Sequence, residues 1–130
     1  MKRAPLLALA ALASAPAFAV GLGPLAKSGV TDTDRKGFYL TLINPYPTAT
    51  AFHAYAIGPE DETEQVRVRI LPAATTLPAR SNRRILVIAT GLRPGETYAF
   101  RVCAERAQNP EELLHARVCS RLSARRLPAA

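Results

Sequence analysis

An all-β sandwich is the fold the sequence predicts, and three observations predict it. Past residue 19 the hydrophobic pattern resets every eight to twelve residues, with Gly and Pro at the breaks. No stretch keeps the helical 3.6-residue period for long, and only Asn109–Leu113 could form a helical turn. The third is a pair of late strand-like runs whose cysteines are equidistant from residue 111. A hairpin turning at Asn109–Glu112 sets Cys103 directly across from Cys119. Facing antiparallel residues lie ~4.5–5.5 Å apart at Cα, within reach of a disulfide.

Residues 1–19 read as a signal peptide. Lys2 and Arg3 supply the positive start, Pro5–Ala13 the apolar stretch, and Ala17-Phe18-Ala19 the small-x-small cleavage signal. The apolar run is shorter than the ~20 residues of a membrane span. No cysteine follows the cleavage site to carry a lipid, and no second run approaches spanning length. An exported, periplasmic domain over residues 20–130 is expected, without membrane insertion.

The strands follow in order. Gly21–Val30 is a loose first strand, and Thr31-Asp32-Thr33-Asp34 a turn. Gly37–Asn44 sets Phe38, Leu40 and Leu42 against Tyr39, Thr41 and Ile43, both faces partly apolar, as in a central strand. Pro45 and Pro47 stop it, since proline donates nothing to a ladder. Ala49–Ile57 is the next strand, with His53 expected to pack beside the core. Gly58–Glu64 carries four carboxylates but lacks the ligand alternation and central glycine of a calcium loop, so it reads as a solvated turn.

Val66, Val68 and Ile70 are predicted to point inward, with Arg67 and Arg69 outward. A short strand at Thr75–Leu77 and the apolar run Arg84–Ala89 come next. Leu92, Pro94, Gly95 and Tyr98 then form a corner, where the Tyr98 hydroxyl is expected to bond backbone near Leu92.

Parity sorts the final hairpin into two faces. Tyr98, Phe100, Val102 and Ala104 join Ala116, Val118, Ser120 and Leu122 on one. The two cysteines share the solvent-leaning face with Arg101, Arg121 and a facing Glu105–Arg117 pair. Two cysteines in an exported chain are expected to pair. A metal site would need more ligands than these and the distant His53 and His115, and no C-x-x-C redox pair occurs. Seven strands and a tyrosine corner specify an immunoglobulin-like sandwich.

The chemistry expected is binding. Neither histidine has a nucleophile or a clear carboxylate partner, no serine sits in an elbow motif, and no helix follows Gly21-Leu22-Gly23-Pro24 to make a phosphate loop. No catalytic, cofactor or metal residue is predicted. Removing Lys2 and Arg3 with the signal takes the net charge from +7 to +5. Without a basic helix or a set of stacking aromatics, solvated strand faces explain this excess better than nucleic acid does. Binding of an anionic polymer remains a third possibility, to be shown by salt-steep retention on heparin. A sandwich leaves strand edges that accept a partner's strand. The last strand, 114–122, offers Leu114, Ala116, Val118 and Leu122 at alternate positions, either as half of its own core or to a partner.

The order of these pieces resembles the N-terminal immunoglobulin-like domain of periplasmic pilus-assembly chaperones and their single-domain relatives. The residues that carry it are GFYLTLIN (37–44), TATAFHAYAI (48–57), VRVRILPAATTLPARSNRRILVIA (66–89) and LRPGETYAFRVCAER (92–106). The resemblance implies a chaperone of fimbrium biogenesis that binds a pilus or secreted subunit by strand addition. Two basic residues would anchor the subunit's terminal carboxylate: Lys27 on the first strand, and Arg121 or Arg125 on the last. Two features depart from the pattern: the sequence ends at Ala130, so no second domain is expected, and the hairpin disulfide stiffens the strand to be lent. The Leu-x-Pro-Gly-x-x-Tyr corner also looks like fibronectin type III modules, though no tryptophan is present. A structural or adhesive module of the cell envelope is therefore the alternative. The sequence does not specify the oligomeric state.

Overall fold

The computed structural model describes residues 20–107 and 116–130. Nine strands occur among them: β1 Gly21–Gly23, β2 Ala26–Thr31, β3 Lys36–Ile43, β4 Thr50–Ile57, β5 Val68–Leu71, β6 Ala74–Leu77, β7 Asn82–Ala89, β8 Thr97–Arg106 and β9 Arg117–Arg126. They form a four-stranded sheet A, in the order β1-β3-β7-β5, and a five-stranded sheet B, in the order β2-β9-β8-β4-β6. The all-β sandwich is as predicted, with two more strands than the expected seven. The signal peptide expected at residues 1–19, Leu114, His115 and the turn expected at Asn109–Glu112 lie outside the described residues.

Alternation on every long strand builds the core. Phe38, Leu40 and Leu42 of β3 and Ile85, Val87 and Ala89 of β7 face inward from sheet A. Phe52, Ala54 and Ala56 of β4, Phe100, Val102 and Ala104 of β8, and Leu122 and Ala124 of β9 meet them from sheet B. Phe38 and Phe100 touch edge to face across the sandwich, centroids 6.4 Å apart. Two expected inward residues are elsewhere. Val66 is 88% exposed, because the Val68 N–H bonds the Gln65 carbonyl and puts residues 66 and 67 at the tip of a turn. His53 is exposed and stacks on Tyr55, since Phe52, Ala54 and Ala56 already take the inward positions of β4.

The expected first strand is two strands in different sheets. β1 runs antiparallel to β3, pairing Gly21–Gly23 with Ile43–Thr41. The chain leaves sheet A at Pro24, which has no N–H to continue a ladder. It then joins sheet B as β2, parallel to β9 from Ala26↔Arg121 to Thr31↔Arg126. Buried Ser120 fixes the crossing by donating its hydroxyl to the Pro24 carbonyl at 2.6 Å.

The final hairpin has the predicted register, with Cys103 opposite Cys119 and Glu105 opposite Arg117. The cysteines are bonded, with Cα atoms 4.0 Å apart. They lie on the face away from the core, as expected, yet Cys103 is fully buried. Tyr55 stands across from it on β4. The Arg117 guanidinium donates to the Tyr55 hydroxyl and to both Glu62 oxygens, drawing the acidic turn over the bond. Arg117 therefore pairs with Glu62 rather than with Glu105, which accepts from the Tyr55 hydroxyl at 3.4 Å.

Candidate functional site

The site is an uncovered backbone edge on β9. In the β8–β9 ladder the Arg126 N–H bonds the Glu96 carbonyl, so even-numbered residues of β9 point their backbone groups at β8. Odd-numbered residues point the other way, and the Arg121 N–H duly bonds the Leu25 carbonyl. Strand pairing by β2 begins only at Arg121. The outward N–H and C=O groups of Arg117 and Cys119 therefore face away from β8 with no strand alongside them among the described residues. A late crossing of the first strand creates this gap.

Side chains along the edge divide sharply. Leu122 is 2% exposed and belongs to the domain's own core. Val118 is half-buried and packs against that core, while Ala116 is exposed just before β9 begins. Of the four apolar residues predicted for this strand, Ala116 and Val118 thus remain open, and Leu114 is outside the described residues.

Of the three candidate carboxylate anchors, Lys27 and Arg121 line one depression, and Arg125 is not among its residues. Lys27 pairs in register with Leu122 and so lies on the inner side of β2, where its ammonium reaches the Tyr39 carbonyl of sheet A at 3.4 Å. Arg121 and Arg125 occupy outward positions on β9, and both residues are exposed. Arg121 borders a depression of about 460 Å³ floored by Ala26, Ser28, Ala99 and Ser123, with Glu60 on its rim. Its guanidinium stands 3.7 Å from Glu60, both side chains well solvated. Arg101, on the same rim, is committed to the Gly58 and Asp61 carbonyls.

The corner is built differently from the expectation. The Tyr98 hydroxyl donates to Gln65 Oε1 at 2.6 Å rather than to backbone near Leu92. Burial pushes its pKa up. Arg67, read from sequence as an outward strand residue, makes the lock instead. Its guanidinium sits 4.3 Å from the Tyr98 ring centroid, donates to the Thr90 and Gly91 carbonyls, and grips both oxygens of Glu96. No local signal marks this role, because its partners are 23 to 29 residues away. The corner itself is a type II turn: the Glu96 N–H bonds the Arg93 carbonyl, and Gly95 takes φ +77°, a value that favours glycine.

The hydrogen bond from Arg67, then that from the Arg93 N–H, lowers the Glu96 pKa to about 2. Glu96 thus binds its proton less readily folded than unfolded. The stability it contributes is complete above its ordinary value of 4.5 and is lost as pH falls toward about 2. Glu96→Gln should cost about 1 kcal/mol at pH 7, the upper range for a pair this open to solvent, and nothing near pH 2. Urea unfolding at both pH values measures it; an equal loss at both would refute the assignment.

No protein-family model matches the sequence, and no curated protein resembles it detectably in sequence. Solved structures do share the fold. The Escherichia coli chaperone DraB is similar at TM-score 0.68 and 18% identity, covering 84% of this chain and 55% of that one. The Salmonella enterica SafA pilin–SafB chaperone complex contains a chain similar at TM-score 0.70 and 17% identity, covering 87% and 57%. A PapD-like domain of human CEP192 is similar at TM-score 0.67 and 16% identity, over 99% and 100%. The architecture is thus the immunoglobulin-like sandwich found in periplasmic pilus chaperones, and the chain spans a little over half the length of those chaperone structures.

Proposed function

We propose that this chain is an exported, periplasmic, chaperone-like binding protein that holds a pilus or other secreted subunit by strand addition along β9. One observation carries the reading: among the described residues, strand pairing leaves the outward backbone groups of Arg117 and Cys119 uncovered on the side away from β8. Backbone edges of this kind give affinity through main-chain hydrogen bonds, while alternate side chains select the partner. Val118 and Ala116 are the residues available for that selection, with Leu114 preceding them in sequence. Support also comes from the signal-like residues 1–19 and from the fold shared with chaperones, one of them in complex with a pilin.

Arg121 is the proposed carboxylate anchor. Lys27 and Arg121 both border the open depression, but only Arg121 lies on β9 next to the strand edge. Lys27 is bonded within the domain, and Arg125 lies further along the covered part of β9.

Arg117→Pro tests the reading. Proline there deletes an N–H that β8 does not use, so the sandwich should still fold. Arg117→Ala, which keeps the N–H, controls for loss of the Glu62 pair. Each variant is co-expressed with a pilus subunit that aggregates for want of its final strand. The parent and Arg117→Ala chains should give a soluble one-to-one complex, and Arg117→Pro should lower its yield at least tenfold. Subunit left aggregated by the parent chain, or rescued equally by Arg117→Pro, would count against strand addition.

A further inference from the structure

We infer that the outer face of sheet A, on the far side of the sandwich from β9, is a second protein-docking surface, whose occupant is an acidic segment with carboxylates alternating with apolar side chains. The register lays out the face. Tyr39, Leu86 and Leu71 form one row across three strands, and Gly37, Ile88 and Arg69 the next. Tyr39 is 53% and Leu71 55% exposed, with Ile43 further along β3 at 42%. A hollow of about 390 Å³ beside the row is lined by Arg35, Arg69, Leu71, Ile88 and Thr90. Arg84 lies over the Tyr39 ring, 5.1 Å from its centroid.

Charge supplies the second half of the argument. The strands of sheet A contain Lys36, Arg69, Arg83 and Arg84 and not one Asp or Glu. Among the described residues Arg35, Arg69 and Arg84 have no ion-pair partner within 4.0 Å. The outer face of sheet B is the opposite case, because the turn at 60–62 folds its carboxylates onto Arg101, Arg117 and Arg121. On the outer face itself Arg69 and Arg84, with Arg35 beside them, are uncompensated and frame a continuous apolar row, while Lys36 and Arg83 share the inward parity of their strands.

The two features together select the occupant. A bare polyanion has no use for the apolar row. A bilayer finds little to take up, since Leu86 and Ile88 are half-buried and only Tyr39 and Leu71 of the row stand more than half exposed. A second copy brings the same positive charge, and its own turn carboxylates Asp61 and Glu62 are already hydrogen-bonded. An acidic, apolar segment satisfies both halves: its carboxylates meet guanidinium groups that offer paired donors, and its apolar side chains cover the row.

The test titrates the purified chain with a synthetic peptide alternating Glu with Leu and Tyr, following amide shifts by NMR. Polyglutamate and phosphatidylglycerol vesicles serve as the comparison ligands. Saturable binding is expected, with shifts confined to β3, β5 and β7 and at least tenfold stronger than for polyglutamate. Arg69→Glu/Arg84→Glu should weaken it at least tenfold, and Leu71→Ser about fivefold, with thermal unfolding unchanged in both. Absence of saturable peptide binding, equal binding of polyglutamate, a response to vesicles alone, self-association in place of peptide binding, or shifts centred on β9 would each overturn the proposal.

Discussion

Asn44→Ala should cost about 3 kcal/mol, among the largest losses any polar substitution in this domain can cause. Asn44 is fully buried at the end of β3. Its amide nitrogen reaches three carbonyls, Thr48 at 3.1 Å, Leu77 at 3.1 Å and Pro78 at 2.9 Å. Its oxygen accepts the Tyr46 N–H at 2.9 Å, and its own N–H bonds the Ser81 carbonyl at 2.8 Å. One side chain thereby ties the end of β3, the link to β4 and the chain leaving β6. Alanine leaves the Tyr46 N–H unpaired and takes a donor from the Leu77 carbonyl, whereas the Thr48 and Pro78 carbonyls keep the Thr50 and Ser81 hydroxyls. Each buried group left unpaired costs about 1–3 kcal/mol, less where water enters. Asn44→Asp should fare no better: it still accepts from Tyr46, but a carboxylate cannot donate to the carbonyls around it. Urea unfolding should show both losses with the slope unchanged. A loss under 1 kcal/mol for either would mean that solvent already serves these groups.

The part of this fold that period-two patterning determines was legible. Cys103 and Cys119 fall on the predicted face, and Phe38, Leu40 and Leu42 share one face set against Tyr39, Thr41 and Ile43, because a strand's side-chain alternation leaves no third choice. Patterning says nothing about which sheet a strand joins. The loose first strand expected at Gly21–Val30 runs straight through the break at Pro24, and Ser120, whose hydroxyl holds the crossing, reads from sequence merely as an inward side chain. Since the crossing decides how much of β9 is covered, the open edge at Arg117 and Cys119 could not be read from the sequence. Long polar side chains were legible least. Lys27, expected to meet a client's carboxylate, also reaches the Tyr39 carbonyl within the domain. Tyr98 was assigned to backbone and bonds Gln65, while Arg67 does the work assigned to it. Each of these depends on contacts that exist only once both sheets are assembled.

Removing the disulfide should destabilise the domain about as much as removing Asn44, for a different reason. Cys103 and Cys119 are 16 residues apart, and closing a loop of about that length is worth about 3 kcal/mol in the chain-entropy account. Cys103→Ala/Cys119→Ala should therefore lower the melting temperature by about 12–20 °C in a domain of this size. Serine discriminates between the two positions. Cys103 is fully buried, so desolvating a hydroxyl there should cost about 1–2 kcal/mol beyond alanine. Cys119 is only half-buried, and serine and alanine should be equivalent there. Calorimetry on the four combinations separates the cross-link from the packing. A drop of less than 5 °C for the double alanine variant would mean that the ladder and the core hold the hairpin without it. The bond also bears on β9 as a binding edge. Strand addition requires Arg117 and Cys119 to face outward together, and a slip of one residue would turn the even-numbered positions outward in their place. Clipping Cys119 to Cys103 forbids that slip next to the segment proposed to meet the client. The double alanine variant should accordingly lose client binding at temperatures where it is still folded, whereas unchanged binding there would show that register is fixed by the core residues Leu122 and Ala124 alone.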